Sequence, residues 1–190
     1  MTEKEVLEDM EKELLVDRYG LDYEGVFDFE GLLKRIDDWC RDNDFHLEIL
    51  SRKDKVTSEG RKISIGYNIY RKWKKMYFTV IGFDLSIEDM KDIEVEVDGR
   101  MRNLNKGKVD AIFHSFLMTS IKARWETKGY LYFLRGIVDK FIYKVDKPAY
   151  RGIVVEDTYN LINEVKGSLN IYAHIGGGKP PTGRLKGGWV

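Results

Sequence analysis

The sequence predicts an α+β fold with two N-terminal helices, a curled antiparallel β-meander of five or six strands, and two C-terminal helices. Apolar residues recur at helical spacing before about residue 45 and again after about residue 130, whereas residues 45–125 alternate between apolar and polar. Short polar links between the alternating stretches favour consecutive antiparallel pairing. At 190 residues the chain fits a single domain over 1–172, followed by a tail at 173–190.

The first 45 residues are predicted to form both N-terminal helices. Residues 3–19 carry a narrow apolar line that ends at Gly20, so the segment 1–20 is expected to be a peripheral helix. Asp28 is a candidate N-cap for the second helix. The apolar face of that helix consists of Phe29, Leu32, Leu33, Ile36 and Cys40.

The alternating region is predicted to form the sheet. A first strand contains Leu47 and Ile49, and the others follow at residues 63–69, 77–85, 93–97, 101–104 and 109–125. Residues 53–62 are predicted to be a charged loop, and Asp98-Gly99 is a two-residue turn signal. A strand over 109–125 would extend about 55 Å, so it must coil, bend or carry a bulge.

Two further helices are predicted at residues 130–143 and 154–172, with Pro148 marking a loop between them. Two arrangements are open: a curved meander that grips the long helix, or a sheet with all helices on one face. The tail at 173–190 is rich in glycine and proline and is expected to be flexible.

Composition limits the class of protein. Cys40 is the single cysteine, which excludes an internal disulfide and multi-cysteine zinc sites, and its place on an apolar helix face favours a core thiol. No apolar run approaches the roughly 20 residues of a membrane helix. The first residues are too acidic for a targeting peptide. The sequence therefore predicts a soluble cytoplasmic protein without a transmembrane segment.

The formal net charge of zero hides an asymmetry along the chain. Residues 1–50 contain six Lys and Arg against sixteen Asp and Glu, so the remainder carries the opposite excess. One interpretation is that the acidic residues of the first part of the chain lie on solvated helix faces, and the basic residues of the later part lie on lysine-rich strand edges. The other is a basic binding face with an acidic back.

The candidate partner-binding residues are basic and aromatic side chains at predicted hairpin ends. The first group is Arg71, Lys72, Trp73, Lys74 and Lys75, and the second is Arg100, Arg102, Lys106 and Lys108. Lys53, Lys55, Arg61 and Lys62 could add to the same positive electrostatic field. Lys and Arg neutralise phosphates, and tryptophan stacks on an exposed base. Alternate turns of a meander fall at the same end of the sheet, so some groups can be neighbours. Trp189 in the tail is a further candidate as a docking anchor.

No residue pattern indicates a metal site, a cofactor or a catalytic centre. His46, His114 and His174 are far apart in sequence, and none has a partner at metal-ligand spacing. Residues 176–179 resemble a phosphate loop, but Pro180 stands where a Ser or Thr is needed. An enzyme is therefore the less favoured class.

The sequence favours a non-enzymatic binding or assembly module that engages a protein or a polyanion through basic hairpin ends and its tail. The alternative is a domain that binds a small apolar ligand in a pocket between the curved sheet and helix 130–143. The candidate lining residues of that pocket are Phe113, Leu117, Trp125, Leu134 and Phe141. The sequence does not indicate the oligomeric state.

Overall fold

The computed structural model describes residues 11–58, 60–73, 77–97, 99–119, 143–172 and 180–185. In chain order the elements are β1 (Glu11–Phe27), α1 (Phe29–Asp42), β2 (His46–Val56), β3 (Arg61–Lys72), β4 (Tyr77–Val97), β5 (Arg100–Thr119), α2 (Tyr143–Asn170) and β6 (Thr182–Leu185). Within these residues the strands form one sheet of order β2-β3-β4-β5-β1-β6. Every pairing is antiparallel.

The prediction of an α+β chain with an antiparallel sheet is confirmed, but the arrangement of two helices, a meander and two helices is wrong. The segment predicted as a peripheral helix forms β1 from Glu11 onward. It lies beside β5, with Tyr19 opposite Phe113 and Leu21 opposite Ala111. Because this pairing buries Leu21 completely, long-range contacts outweigh the local helical spacing.

The strands are also longer than predicted. The predicted strands at 77–85 and 93–97 are both part of β4, and those at 101–104 and 109–125 fall in β5, which is described as far as Thr119. The predicted loop at 53–62 is mostly strand, since β2 continues to Val56 and β3 starts at Arg61. Long antiparallel partners sustain each other through backbone hydrogen bonds, so local polar residues do not end them.

A bulge on β4 supplies the bend that such long strands require. The register with β5 shifts between Glu88 and Lys91, and Asp89 within the shift has a positive φ of 54°. Gly107 lies opposite, where an added Cβ would come within 2.8 Å of the Glu88 carbonyl oxygen. A glycine is therefore needed where the two backbones approach each other.

The described residues contain two helices. The helix predicted after Asp28 is confirmed as α1, and the Asp28 carboxylate accepts a hydrogen bond from the Gly31 amide at 2.8 Å. The helix predicted at 154–172 is part of α2, which starts at Tyr143 and therefore includes Pro148, where a loop was expected. Buried residues farther along α2 outweigh the hydrogen bond that proline removes. The predicted helix at 130–143 lies outside the described residues apart from Tyr143.

Four residues of the tail that was predicted to be flexible form β6, which pairs with Tyr19–Asp22 of β1. Four residues without a buried side chain leave no pattern in the sequence, so this short strand was not predicted. Residues 173–179 and 186–190 lie outside the described part of the chain.

The main core lies between one face of the sheet and the two helices. Phe83 stacks on Tyr67 at 5.4 Å and on Phe113 at 4.6 Å between ring centroids, which joins the central strands β3, β4 and β5. Leu32 from α1 and Leu161 from α2 are fully buried in the same cluster. The helices are also linked to each other by an ion pair between Arg35 and Glu164 at 2.7 Å. The described helices therefore pack on the same face of the sheet, as in the second of the two arrangements that the sequence left open.

Candidate interaction surface

Strand β2 forms one edge of the sheet. It pairs with β3 on one side, and no described strand pairs with its other side. Ten of its eleven residues are exposed. Large apolar side chains are among them, because Ile49 is 51% exposed, Leu50 64% and Val56 79%. Apolar side chains on an open edge distinguish this strand from a simple solvated border.

Local sequence features build the β2–β3 hairpin. A register shift between Ile49 and Ser51 leaves Leu50 as an extra residue on β2. At the turn, the Thr57 amide donates to the Gly60 carbonyl oxygen at 2.9 Å and its hydroxyl donates to the same oxygen at 2.7 Å. Gly60 has φ 153°, and an added Cβ would lie 2.8 Å from the Asp89 carbonyl carbon. The hairpin end therefore sits against the bulge of β4.

Basic side chains are concentrated at this hairpin end. Arg61 forms an ion pair with Asp54, which lowers the pKa of that carboxyl group and raises the pKa of the guanidinium. Arg52, Lys53 and Lys55 are exposed, and none of them forms an ion pair with a described residue.

Two lysines also face each other across the hairpin. Lys55 lies directly opposite Lys62, whose ammonium group pairs with Glu88 of β4. Like charges placed directly opposite each other repel, and the Glu88 carboxylate offsets the charge of Lys62.

The second basic group lies at the same end of the sheet as the β2–β3 turn. Lys108 contacts Asp89 at 3.5 Å, and Lys106 lies opposite Lys91. Arg100 and Arg102 are exposed on the far part of β5, where Arg102 reaches the Tyr172 hydroxyl at 3.4 Å. A basin of about 1140 Å³ adjoins this group, and its lining mixes lysines with carboxylates, among them Lys91, Lys106, Lys108, Glu88 and Asp110. The basic ends of the β2–β3 and β4–β5 hairpins therefore lie at the same end of the sheet, with Arg100 and Arg102 farther along β5 than the β2–β3 turn.

The basic tip around Arg71 lies at the opposite end of the sheet and has a different environment. The Arg71 guanidinium is 3.8 Å from the centroid of the Trp73 ring and 4.3 Å from that of Phe45. It forms an ion pair with Asp157 of α2 and donates to the Asn43 carbonyl oxygen at 2.8 Å. Burial raises the pKa of Asp157 although Arg71 opposes the shift.

The remaining residues of this tip are held differently. The Trp73 indole donates to the Thr79 hydroxyl at 2.8 Å. The exposed Lys72 ammonium lies 5.4 Å from the centroid of the Phe78 ring. Lys74 and Lys75 lie outside the described residues. Of the described residues in this predicted binding group, Lys72 therefore projects most into solvent.

The predicted apolar pocket is described at two of its five positions. Phe113 and Leu117 are both fully buried on the helix-facing side of β5, where Phe113 packs on Phe83 and Leu117 clusters with Tyr77 and Val154. Trp125, Leu134 and Phe141, like the proposed anchor Trp189, fall outside the described part of the chain.

His46 and His114, the histidines among the described residues, each contact an aromatic ring, and Cys40 is buried. The His46 ring stacks on Tyr70 at 5.4 Å, and the His114 ring meets Phe116 edge to face at 5.6 Å. Burial raises the pKa of the Cys40 thiol to about 12, helped by the nearby Asp37. Among the described residues, no cluster of three or more His, Cys, Asp or Glu side chains has an arrangement that could hold a metal ion.

Sequence reasoning missed the open edge of β2. Leu47 and Ile49 were predicted to start a strand, but the charges that follow led to the prediction of a loop from residue 53 onward. Whether the side chains of an edge strand are covered depends on contacts with distant parts of the chain, which a pattern along a single strand does not contain. The one usable signal was the presence of Leu50 and Val56 within the charged stretch.

A comparison with protein-family models finds no matching family, and comparisons with curated proteins and with solved structures find no match either. Neither of the described helices has the length and hydropathy that are needed to cross a membrane.

Proposed function

We propose that the protein is a non-enzymatic interaction module that captures an extended acidic segment of a partner protein by adding it as a strand to β2. The observation that supports this proposal is the open edge of β2, where exposed Ile49, Leu50 and Val56 lie beside Arg52, Lys53 and Lys55. Strand addition to an exposed sheet edge is a common mode of peptide recognition, in which the backbone supplies affinity and the side chains supply specificity.

The free edge offers backbone groups for such binding. In an antiparallel pair, alternate residues direct both their amide and carbonyl groups towards the neighbouring strand. About five of the residues of β2, and so about ten backbone groups, then point away from β3. Each hydrogen bond contributes about 0.5–1.5 kcal/mol net, against an association cost of about 4–15 kcal/mol. Ten such bonds roughly offset this cost, so contacts to the exposed aliphatic side chains must supply most of the about 8 kcal/mol that a micromolar dissociation constant requires.

The charges on the edge favour an acidic polypeptide over other occupants. A second copy of β2 would bring Lys53 and Lys55 close to further cations, which repel. A uniform polyanion would meet Glu48 and Asp54 on the same strand. A polypeptide that alternates acidic with apolar residues can match both the cations and the exposed aliphatic side chains.

Fluorescence anisotropy tests the proposal with a labelled seven-residue peptide that alternates glutamate with valine. We expect a micromolar dissociation constant that weakens as salt is raised, because the cations are exposed. Replacing Lys53 and Lys55 together by glutamine should weaken binding about tenfold. The matched control replaces Lys91 and Lys106 by glutamine, which removes the same charge away from β2 and should leave binding within about twofold.

Two further probes separate backbone recognition from charge. A peptide with proline at its central position retains the charge but loses a backbone donor, so it should bind about tenfold more weakly. A single-stranded oligonucleotide of equal charge should bind more weakly than the peptide. Equal affinity for all three probes, or no effect of the Lys53 and Lys55 replacements, would show that strand addition to β2 is not the function.

A further inference from the structure

The opposite edge of the sheet is occupied by the chain's own C-terminal strand. On its outer side β1 pairs with β6 over four residues, Tyr19–Asp22, whereas its other side pairs with β5 from Glu11 to Phe27. No described strand pairs with the outer side of β1 between Glu11 and Arg18. The four paired positions therefore act as a small docking groove for a strand.

The groove selects its strand through Tyr19. An added Cβ on Gly183 would lie 1.9 Å from the Tyr19 hydroxyl oxygen, so the tyrosine side chain lies directly over this glycine. The Lys166 ammonium donates to the same hydroxyl at 2.7 Å, and the Tyr159 ring meets the Tyr19 ring edge to face at 5.9 Å. Because α2 holds Tyr19 in this position, the ring cannot move aside easily for a larger residue.

A second contact recognises the next residue of the docked strand. Arg184 lies 3.4 Å from the Asp22 carboxylate and is placed opposite Gly20. The groove therefore accepts a strand in which glycine is followed by a cation, and Gly183-Arg184 meets this requirement.

The docked strand is held weakly. All four residues of β6 are exposed, including Leu185 at 57%, so β6 contributes no side chain to the core. Its ion pair is exposed as well, and such pairs add little stability. Short elements with few buried contacts open at a small fraction of the free energy of global unfolding.

Among the described residues, the contacts of β6 given above are made with the groove on β1, so they would be the same if another molecule supplied the strand. Nine residues, 173–181, connect Tyr172 to β6, which gives a contour of roughly 30 Å. Pro180 and Pro181 precede the strand and favour an extended backbone at its start. We propose that the strand Thr182–Leu185 is exchanged between copies of this chain, each tail occupying the β1 groove of the other copy.

Engineered cysteines provide the test. Asp22 and Thr182 face each other across the pair, and the sole native cysteine, Cys40, is buried. Chains carrying Asp22→Cys are mixed with chains carrying Thr182→Cys and oxidised at several total concentrations. Exchange predicts a disulfide between the two kinds of chain, which the mass of the linked peptides identifies. The yield of this disulfide should rise with protein concentration.

Two controls make the result decisive. Met101→Cys, exposed and distant from β6, replaces Thr182→Cys to measure cross-linking by random collision. Adding Gly183→Val to the Thr182→Cys chain should lower the specific cross-link about tenfold. The double variant with both cysteines in one chain reports docking within a molecule. If it forms intrachain disulfides alone at every concentration, and mixed chains cross-link no more than the Met101 control, exchange does not occur.

Discussion

Replacing Arg71 by methionine should destabilise the protein strongly, because this arginine joins β3 to α2 in the interior. The Arg71 side chain is 15% exposed and that of Asp157 12%. Breaking a buried ion pair by removing one partner costs about 3–5 kcal/mol, since the other charge stays behind. The lost hydrogen bond to the Asn43 carbonyl oxygen is part of this cost, while methionine can still pack between Phe45 and Trp73. We therefore expect a loss of about 3–4 kcal/mol in the free energy of unfolding near neutral pH, measured by urea denaturation.

The loss should depend on pH. Burial already raises the pKa of Asp157 in the folded protein above its ordinary 3.8, and removal of Arg71 raises it further. The folded variant then keeps a proton on Asp157 that the unfolded chain has released, which stabilises the fold at acidic pH and is lost as pH rises through the folded pKa. The variant should accordingly be less impaired near pH 5 than near pH 8.

Two comparisons decide whether this reasoning is correct. Lys72→Met removes an exposed cation from the next position and should change stability by less than about 0.5 kcal/mol. Combining Arg71→Met with Asp157→Leu removes both charges and should restore most of the loss. A loss below about 1 kcal/mol for Arg71→Met, with no pH dependence, would refute the buried pair and return Arg71 to the candidate binding residues.

Three further predictions concern the scaffold. Gly107→Ala should cost about 1–3 kcal/mol in urea denaturation, because its Cβ would meet the Glu88 carbonyl oxygen, part of a backbone that cannot swing away; an unchanged midpoint would argue against the close approach. Asp28→Ala should cost about 1 kcal/mol, since the Gly31 amide loses its acceptor, and a loss below about 0.3 kcal/mol would contradict the cap. Cys40 should react with a disulfide reagent at pH 8 at least about 100-fold more slowly in the folded than in the unfolded chain, because burial keeps its thiol protonated; equal rates would place it at the surface.

The sequence predicted elements whose signals are local. Asp28 before an amphipathic stretch predicted α1, and the apolar spacing around Leu161 and Val165 predicted the later part of α2. Alternation also predicted the antiparallel sheet, because consecutive strands with short links pair with their neighbours.

The features that were missed depend on contacts between distant parts of the chain. Residues 11–27 form a strand because β5 is available as a partner, although the spacing of apolar residues over 3–19 favours a helix. Two predicted breaks in β4 and β5 do not occur, because each strand supports the other across the bulge at Asp89.

The basic residues of the candidate site were recognised from composition, and their role in binding stays a prediction. The structure places Lys53, Lys55 and Lys62 in exposed positions. The sequence could not show that the Arg71 guanidinium contacts Asp157, a residue 86 positions later in the chain. It also could not show that Leu50 and Val56 stay exposed on β2, since their burial depends on which distant parts of the chain pack near this strand.

Hydrogen exchange of the β2 amides, measured by NMR with and without the acidic peptide, tests the central claim most directly. Strand addition predicts that amides at alternate positions within His46–Val56, those that point away from β3, become protected when the peptide binds. Amides of β2 that already pair with β3 should change little. Peptide binding without new protection in β2, or with protection confined to another part of the sheet, would contradict the account.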